Sequence, residues 1–435
     1  MFYKILSLDG GGSWALVQAR VLLDIYGDIR GHELLRQFDL AIANSGGSLV
    51  LACLCNDMKL TEVVSVFRNE DQRKQVFSKL SFWEKLNWRN IASLTNVLGP
   101  KYSSERKLIG LENVLKSKDH LFNEGTIAKP IVDTPLNELP AIIKKESLQL
   151  LIVGFDYFHE RVSFFRSNTN SATDKFNGGK FFQVTLAYAI HSSSNAPVNY
   201  FDRPAEIQIS RLGKEDTRTT WYWDGAVSGF NNPVLAGLIE AITNNQMSIG
   251  EYCILSIGTG TGSKAVLTDY QSSTDPEIRA IYEKNKNNPF AITDSSSGFL
   301  QDVKKIAGSI LDDPPDSATF IAYSILDPSL SNKANLIRIN PCINPEKNND
   351  GVYDVPAVYK NITGGSERFK AVMELGMDAV EDEQVDLINE VCDKFIVTNG
   401  SDCLPNQLIR GDTSNPVFLG QRNYKEAKDK WMLCK

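Results

Sequence analysis

Two segments of this chain each place an apolar strand before a glycine-rich turn and a helix directly after it. Tyr3–Leu8 reads as a buried strand that stops at Gly10–Gly12, and Leu16–Tyr26 then has helical spacing. The unit repeats, with a strand predicted over Phe38–Ala43 and a helix over Ser48–Cys55. Repeated strand–turn–helix units build a parallel sheet with helices on its faces. The sequence therefore predicts an α/β fold.

The rest of the chain continues this alternation. Tyr252–Ile257 is another apolar run that is ended by glycines, and Asn232 can cap a helix whose first residue is Pro233. Further strands are predicted over Leu148–Phe155, Arg161–Phe165, Glu206–Ser210 and Thr219–Trp223, and further helices over Phe181–Ile190 and Pro233–Ile239.

The predicted organisation is one large domain with an insertion and an extension. We expect residues 1–340 to form the domain and residues 60–130 to be a mostly helical insertion in it. Residues 263–300 are rich in Ser, Thr, Asp and Asn, which favours a mobile loop. Residues 345–435 are predicted to be a C-terminal helical extension, where Ser366–Phe395 has one helical stripe of apolar residues.

Charge and cysteine content argue against several classes of protein. The chain has 46 Lys and Arg against 53 Asp and Glu, so its net charge of −7 does not favour nucleic acid as a partner. Its seven cysteines lack the density of a disulfide framework, and we expect reduced thiols in the cytoplasm. No run approaches the roughly 18 apolar residues of a membrane span. The first residues read as a strand rather than a signal peptide, and signal-independent secretion stays open.

Three short strings, in order along the chain, carry the chemistry. They are DGGG at Asp9–Gly12, ANSGG at Ala43–Gly47 and DGA at Asp224–Ala226. A serine attacks a carbonyl when a base takes its proton and donors stabilise the oxygen that becomes negative. Each string alone has a plain alternative, because the last two are also ordinary turns and the first also suits a phosphate-binding loop. Together they predict a hydrolase that cleaves an acyl bond.

Two residues compete for the role of the base. Asp224 follows the aromatic run Trp221–Trp223, and an apolar wall of that kind would raise the pKa of its carboxyl towards neutral pH. None of the four histidines stands in an obvious base motif. A triad that uses His191 stays the competing assignment.

The ordered strings resemble those of the patatin-like phospholipases, a family with D-G-G-G-x-R-G, G-x-S-x-G and then D-G-G or D-G-A. The resemblance covers roughly residues 3–340 and includes further blocks at Lys101–Ser103, Ala189–Pro197, Asn231–Pro233 and Ser256–Gly260. It implies a three-layer α/β/α fold with a mostly parallel central sheet.

The resemblance also assigns roles to residues. It implies a serine hydrolase with a catalytic dyad, in which Ser45 is the nucleophile and Asp224 the base. Gly10, Gly11 and Gly12 would form the oxyanion hole. No cofactor and no metal is expected for this chemistry, and no calcium-loop or zinc pattern is present in the sequence.

This chain departs from the family pattern at three positions. Trp14 stands where the family has an arginine, Ala15 replaces the glycine that follows, and Ala43 replaces the first glycine of the serine turn. Alanine is small enough for that turn. Without the arginine a positive charge near the oxyanion hole is lost, which leaves low activity or a pseudoenzyme as an alternative.

The expected function is lipid acyl hydrolysis, of phospholipase A or lysophospholipase type, on a phospholipid or other glycerolipid. This implies a cytoplasmic protein with peripheral contact to a membrane. The aromatic and basic stretch from Phe77 to Ile91 either rests on anionic lipid or packs over the active site.

Two other classes of function remain. The first is a membrane-degrading effector, such as a toxin or phage-defence phospholipase, that stays silent until a partner or a signal nucleotide activates it. The second is a nucleotide-binding module. Its glycine loop, however, lacks the Lys-Ser/Thr of a P-loop and has Ala15 at the third glycine of a dinucleotide fingerprint.

Overall fold

The fold is organised around a nine-stranded mixed sheet, described here from a computed structural model. The structure describes residues 2–85, 99–170, 182–213, 216–245, 247–293, 316–360, 362–396, 403–411 and 417–434. The strands of the sheet are β1 (Tyr3–Leu8), β2 (Leu40–Ala43), β3 (Gln149–Asp156), β4 (Arg161–Arg166), β5 (Phe182–Gln183), β6 (Ala205–Arg211), β7 (Thr217–Asp224), β8 (Tyr252–Ile257) and β9 (Leu336–Ile339). Their order is β9-β8-β1-β2-β3-β7-β6-β5, and β4 pairs with β3.

Helices cover the sheet. They are α1 (Leu16–Tyr26), α2 (Gly31–Leu35), α3 (Ser45–Cys55), α4 (Leu60–Arg68), α5 (Glu70–Val76), α6 (Phe82–Lys85), α7 (Ser104–Lys118), α8 (His120–Asn123), α9 (Leu139–Ile143), α10 (Leu186–Ser193), α11 (Val234–Asn244), α12 (Pro276–Asn285), α13 (Ala357–Lys360), α14 (Gly365–Glu374), α15 (Asp382–Phe395) and α16 (Tyr424–Cys434). A further helix covers 316–326. Within the described ranges no helix is long and apolar enough to cross a lipid bilayer.

Shorter elements lie in the connections. The 3-10 turns are Gly12–Ala15, Ile131–Asp133, Leu136–Glu138, Gly225–Ser228, Ile249–Glu251 and Asp269–Ser272. Small two-stranded ribbons join Ala265–Val266 to Ala291–Ile292, Glu346–Lys347 to Tyr353–Asp354, and Ile409–Arg410 to Phe418–Leu419.

The sheet is parallel at its centre and antiparallel at one side. Strands β9, β8, β1, β2 and β3 run parallel to their neighbours. Beyond them, β4 and β7 pair antiparallel with β3, β6 with β7, and β5 with β6. The parallel pairs follow from strand–helix–strand crossovers, whereas the short β3–β4 and β6–β7 connections can only make hairpins. The predicted α/β fold class is confirmed.

Each face of the sheet has its own hydrophobic core, because successive strand residues point to opposite sides. On one face, Leu6 and Leu8 of β1 pack with helices that include α1 and α3. On the other face, Ile5 packs with Ile42 of β2 and with Leu238 of α11. The two cores give the three layers that the sequence predicts.

Most predicted elements lie within two residues of the observed ones. Ser48–Cys55 begins three residues after α3 does, Pro233–Ile239 ends five residues before α11 does, and three other predictions differ in kind. Phe181–Ile190 is not one helix, since β5 ends at Gln183 and α10 starts after Thr185, whose side chain accepts a hydrogen bond from the Tyr188 amide at 3.3 Å. The predicted loop at 263–300 contains the ten-residue helix α12. Residues 294–300 of that prediction lie outside the described residues.

The third difference is in the C-terminal part, where the stripe within Ser366–Phe395 is carried by two helices instead of one. Leu375 ends α14 as its C-cap and Glu381 caps the start of α15, and the chain between them is not helical and turns at Met377–Asp378. Phe369 and Val372 of the first helix and Val385 of the second still enter one core. Because both helices turn an apolar face to the same core, their apolar residues keep a helical spacing in the sequence although the helix is interrupted.

The C-terminal part packs into the core of the sheet and does not form a separate core of its own. Trp431 of α16 stacks on Phe38 with ring centroids 5.7 Å apart. Its indole nitrogen donates a hydrogen bond to the Tyr26 hydroxyl at 2.9 Å. The last helix therefore stabilises the packing of α1 against the sheet.

This packing predicts a large difference between neighbouring positions of α16. Trp431→Ala should lower the free energy of unfolding by about 3–5 kcal/mol, because it removes a fully buried aromatic side chain. Leu433→Ala is the matched control, since Leu433 is 87% exposed and should cost less than about 0.5 kcal/mol. Urea unfolding of the two variants measures both. Equal, small effects would contradict the shared core.

Candidate active site

Ser45 lies at the turn between β2 and α3 and is the first residue of that helix. Its φ of 48° falls in the left-handed region, which is strained for a serine and is a feature of the nucleophile turn in α/β hydrolases. The next two positions must be glycine. A Cβ on Gly46 would lie 2.5 Å from the Gly12 carbonyl oxygen, and one on Gly47 would lie 2.6 Å from that of Leu8.

Strand β3 brings Asp224 to the same place. β4 pairs with β3 from Leu151 to Asp156 and so occupies one edge of it. β2 and β7 share the other edge. β2 pairs with β3 as far as Ala43, which lies opposite Ile152, and β7 pairs with β3 from Asp224, which lies opposite Gly154. Asp224 therefore lies beside the end of β2, where the serine turn begins.

Asp224 is 2% exposed, and among the described residues its carboxylate accepts two hydrogen bonds. The Asn44 side-chain amide donates to Oδ1 at 3.1 Å, and the Ala226 backbone amide donates to the same oxygen at 2.9 Å. The Ser45 hydroxyl faces the same carboxylate, and both residues line one cavity. The predicted nucleophile and base are thus brought together.

Burial raises the pKa of Asp224 above the usual range of an aspartate. Hydrogen bonds from Ser45, Ala226 and Asn44 oppose that rise, and so does the nearby positive charge of Lys107. A carboxylate with a raised pKa that faces a serine hydroxyl has the chemistry of a general base.

The glycine loop contributes fewer free amides than the sequence predicts. The Gly10 amide donates to the Asn231 carbonyl at 2.8 Å. It is therefore not available to an oxyanion, contrary to the role that the resemblance implies for Gly10. The Gly11 and Gly12 amides have no hydrogen-bond partner among the described residues. Gly12 has a φ of 57° and lines the same cavity as Ser45. These two amides are the donors that remain for a developing negative charge.

Arg338 was not singled out by the sequence analysis, although it supports this loop. It comes from β9 and its guanidinium donates to the Asp9 carboxylate at 2.6 Å and to the Ser256 hydroxyl at 2.9 Å. Asp9 and Arg338 are each 4% exposed, and burial raises the pKa of Asp9 while Arg338 opposes the rise. Trp14, at the family's arginine position, is buried in the core. A charge inside the apolar run Leu336–Ile339 was the signal available in the sequence.

Ser45 and Asp224 open into a largely apolar cavity of about 480 Å³. Its wall includes Leu49, Val66, Phe67, Val76, Phe77, Leu111, Val114, Phe201 and Met377. A concave apolar site with a few polar groups at one point is the usual form of a binding pocket for an apolar ligand.

Two features of the predicted site are not found there. His191 is 2% exposed and is absent from the cavity wall, and burial next to Lys107 holds its pKa well below the usual range of histidine. The triad that uses His191 is therefore not assembled. The aromatic run Trp221–Trp223 does not line the cavity either. Tyr222 instead packs edge-on against Phe165, with ring centroids 5.0 Å apart.

The aromatic stretch of the insertion divides between two environments. Phe77 lines the cavity and Leu80 is buried, as packing over the site requires, although neither residue lies in a helix. Trp83 is 77% exposed, as an interfacial helix requires. Leu86, Trp88 and Ile91 lie outside the described residues.

A segment from the C-terminal part also reaches the site. The Met377 carbonyl accepts a hydrogen bond from the Ser13 amide at 2.9 Å, and the Ala379 carbonyl accepts one from the Ser13 hydroxyl at 2.7 Å. Asp378 accepts hydrogen bonds from the Lys101 ammonium and the Tyr102 hydroxyl, each at 2.8 Å. We call Leu375–Glu381 the strap, because it crosses from the glycine loop to the cavity wall.

Comparison with known proteins gives one family match. Residues 6–238 match the family model described as Patatin-like phospholipase. No curated protein sequence matches the chain.

Solved structures with a similar chain path are distant. The structure of SpcU in complex with ExoU, from the type III secretion system of Pseudomonas aeruginosa, is 14% identical with a TM-score of 0.25, and the match covers 44% of this chain and 38% of that one. VipD from Legionella pneumophila is 10% identical over 89% of this chain and 67% of that one, with a TM-score of 0.30. The type III effector protein ExoU is 9% identical over 92% and 91%, with a TM-score of 0.26.

The close contact between the glycine loop and the strap predicts a steric effect. In Gly12→Ala the new Cβ would lie 2.2 Å from the Met377 carbonyl oxygen at a positive φ, which should lower the free energy of unfolding by roughly 2–5 kcal/mol. Gly364→Ala is the control, because Gly364 has a φ of 69° and a Cβ there would meet its first neighbour at 4.0 Å. It should cost about 1 kcal/mol. Urea unfolding with equal losses in both variants would mean that the contact is not rigid.

Proposed function

This chain belongs to the patatin-like phospholipase family, and from that premise we propose that it hydrolyses acyl esters of glycerolipids through an acyl-serine intermediate. The observation that carries the proposal is the meeting of Ser45 and the buried Asp224 at the wall of an apolar cavity. Phospholipase A or lysophospholipase action is the reaction that this arrangement supports best, since the cavity suits an acyl chain.

The reaction proceeds in two halves. The Ser45 oxygen attacks the ester carbonyl carbon while Asp224 takes the hydroxyl proton. The amides of Gly11 and Gly12 stabilise the carbonyl oxygen as it becomes negative. Asp224 then gives the proton to the departing lipid alcohol, and the acyl group stays on Ser45.

Water completes the cycle. Asp224, which is again ionised, takes a proton from a water molecule that attacks the acyl carbon. The tetrahedral intermediate collapses, Ser45 recovers its proton from Asp224, and the fatty acid leaves. Every proton in this sequence passes through Asp224, so its ionised form is required at the start of each half.

The substrate is presented at a membrane surface, where phospholipids reside. Trp83, which is 77% exposed, stands beside the insertion residues that cover the cavity. An exposed tryptophan can sit at the level of lipid headgroups. This supports peripheral contact with the membrane on the insertion side of the site.

Removing either reacting group should abolish turnover. We expect Asp224→Asn to reduce fatty-acid release from phosphatidylcholine vesicles by roughly 10²–10⁴-fold, because a general base contributes about that much. Ser45→Ala should lose at least as much, because no acyl-serine can form without the nucleophile. Mass spectrometry of released fatty acid measures the loss. Ser65→Ala is a matched control, since this exposed serine of α4 donates its hydroxyl to the Glu62 carbonyl away from the cavity. Release that is equal in all four proteins contradicts the proposal.

A regulated effector is the second candidate, and the strap is the observation that favours it. The strap joins the glycine loop to the cavity wall, and it is tied to the insertion through Asp378. A partner or signal molecule that displaced the strap would change access to Ser45. The activity would then be low until that displacement occurs.

The effector candidate makes its own prediction. Asp378→Asn weakens the bonds to Lys101 and Tyr102, so release from vesicles should rise, by up to roughly tenfold, because a hydrogen bond to a charged group contributes about 1.5 kcal/mol. Asp393→Asn is the control, since it breaks a remote ion pair with Arg20. An unchanged or lower rate in Asp378→Asn would argue for a strap that only stabilises the fold.

A further inference from the structure

Lys107 is a buried lysine in the wall of the cavity that holds Ser45 and Asp224. It lies on α7, where it takes a place in the buried stripe with Ser104, Leu111 and Val114. Its exposure is 1%, and lysine is rarely buried to this degree without a paired acid. Within the described part of the chain, no carboxylate lies within ion-pair distance of it. The proposed reaction does not use it.

The contacts of Lys107 are those of a charged ammonium group. Its Nζ donates to the His191 carbonyl at 3.0 Å and to Asn195 Oδ1 at 3.4 Å. It also stands over the Phe201 ring, 4.5 Å from the centroid. Two acceptors and an aromatic face satisfy a cation, since ammonium has donors and no lone pair. A neutral amine would leave its lone pair without a donor.

Asn195 connects this ammonium to Asp224. Its backbone carbonyl accepts a hydrogen bond from the Asp224 amide at 3.1 Å, while its side-chain oxygen accepts from Lys107. The same oxygen accepts from the Ser104 hydroxyl at 3.0 Å, and its amide donates to the Arg203 carbonyl at 2.8 Å. Asn195 is therefore fixed on all sides, and it fixes the distance between Lys107 and the end of β7.

The groups that face Asp224 come from several elements. Asn44 and Ser45 face it from the serine turn, the Ala226 amide from the following 3-10 turn, and Tyr200 from the loop after α10. All of these are neutral at neutral pH. Lys107 of α7 is the cationic group in this set. Burial lowers its pKa well below the usual range of lysine, and the Asp224 carboxylate opposes that fall, so the two charges stabilise each other.

We propose that Lys107 is a positioning residue whose ammonium charge keeps the buried Asp224 carboxylate ionised, and so ready to take the Ser45 proton. This inference rests on the proposed function.

The direction of the effect follows from electrostatics. Burial alone raises the pKa of Asp224, and a protonated carboxyl cannot act as a base. The Lys107 charge opposes that rise. Without it, Asp224 would stay protonated to a higher pH, and activity would be lost on the acidic side of the profile. At a pH high enough to ionise Asp224 without help, activity would return.

The test compares pH profiles of kcat/KM for a short soluble p-nitrophenyl ester. Lys107→Met keeps the length of the side chain and removes the charge, and we expect its acidic limb to move up by about one pH unit, which is a tenfold loss on that limb. Lys107→Arg keeps the charge and should restore the position of the limb. Lys116→Met is the matched control, because it removes the same charge from the surface of the same helix.

The substitution should not prevent folding, because replacing a buried charge by an apolar side chain of similar size is often neutral or stabilising. A second measurement does not depend on turnover. The carboxyl carbon of Asp224, labelled with ¹³C-aspartate and assigned with Asp224→Asn, should titrate at a higher pH in Lys107→Met than in the unmodified protein.

The outcomes separate the inference from the proposed function. An upward shift of the limb and of the carbon titration, with rescue by arginine, supports the inference. An unshifted titration, or a kcat/KM that falls by the same factor at every pH, overturns it while Ser45→Ala still shows that the enzyme works. If Ser45→Ala has no effect, the proposed function fails, and the carbon titration alone decides whether Lys107 acts on Asp224.

Discussion

One edge of β3 serves two strands in succession, and the candidate site depends on that arrangement. β2 pairs with β3 in the parallel sense and ends at Ala43. β7 pairs with the same edge of β3 in the antiparallel sense, and Asp224 lies opposite the β3 residue two positions beyond the partner of Ala43. β4 closes the opposite edge. Backbone hydrogen bonds are short and directional, so this register fixes the separation between the two strand ends. For that reason Asn44 and Asp224, which are 180 positions apart in the chain, become neighbours.

The tight turns around this meeting point explain why glycine recurs there. A Cβ on Gly46 or Gly47 of the serine turn would lie 2.5–2.6 Å from a backbone oxygen of Gly12 or Leu8, and a Cβ on Gly12 would lie 2.2 Å from the Met377 carbonyl oxygen of the strap. Close approach brings the Gly12 amide and the start of α3 to the serine. It also concentrates partial positive charge where an oxyanion would form. Below the loop, Arg338 neutralises Asp9, so the loop rests on a buried ion pair.

The elements that the sequence predicts correctly are those that a local pattern of residues determines. The strands β1 and β8 and the helix α1 have the predicted bounds, because apolar runs ended by glycine leave few alternatives. The structure also places residues of the three strings in the wall of one cavity. The pairing of the Gly10 amide with Asn231 could not be predicted in this way, since the partner is 221 positions away and is a backbone carbonyl, which any residue has. Lys107 likewise looks ordinary in a helix until its buried surroundings are known.

The part of the chain that matches the family depends on the buried Arg338, which lies beyond the matched residues. The family match ends at residue 238, yet β8 and β9 lie beyond it and complete the sheet beside β1. A polypeptide cut at that boundary would keep the recognisable strings and leave β1 as an open edge with Asp9 uncompensated. The part of this chain that matches the family is thus smaller than the sheet that holds the candidate site.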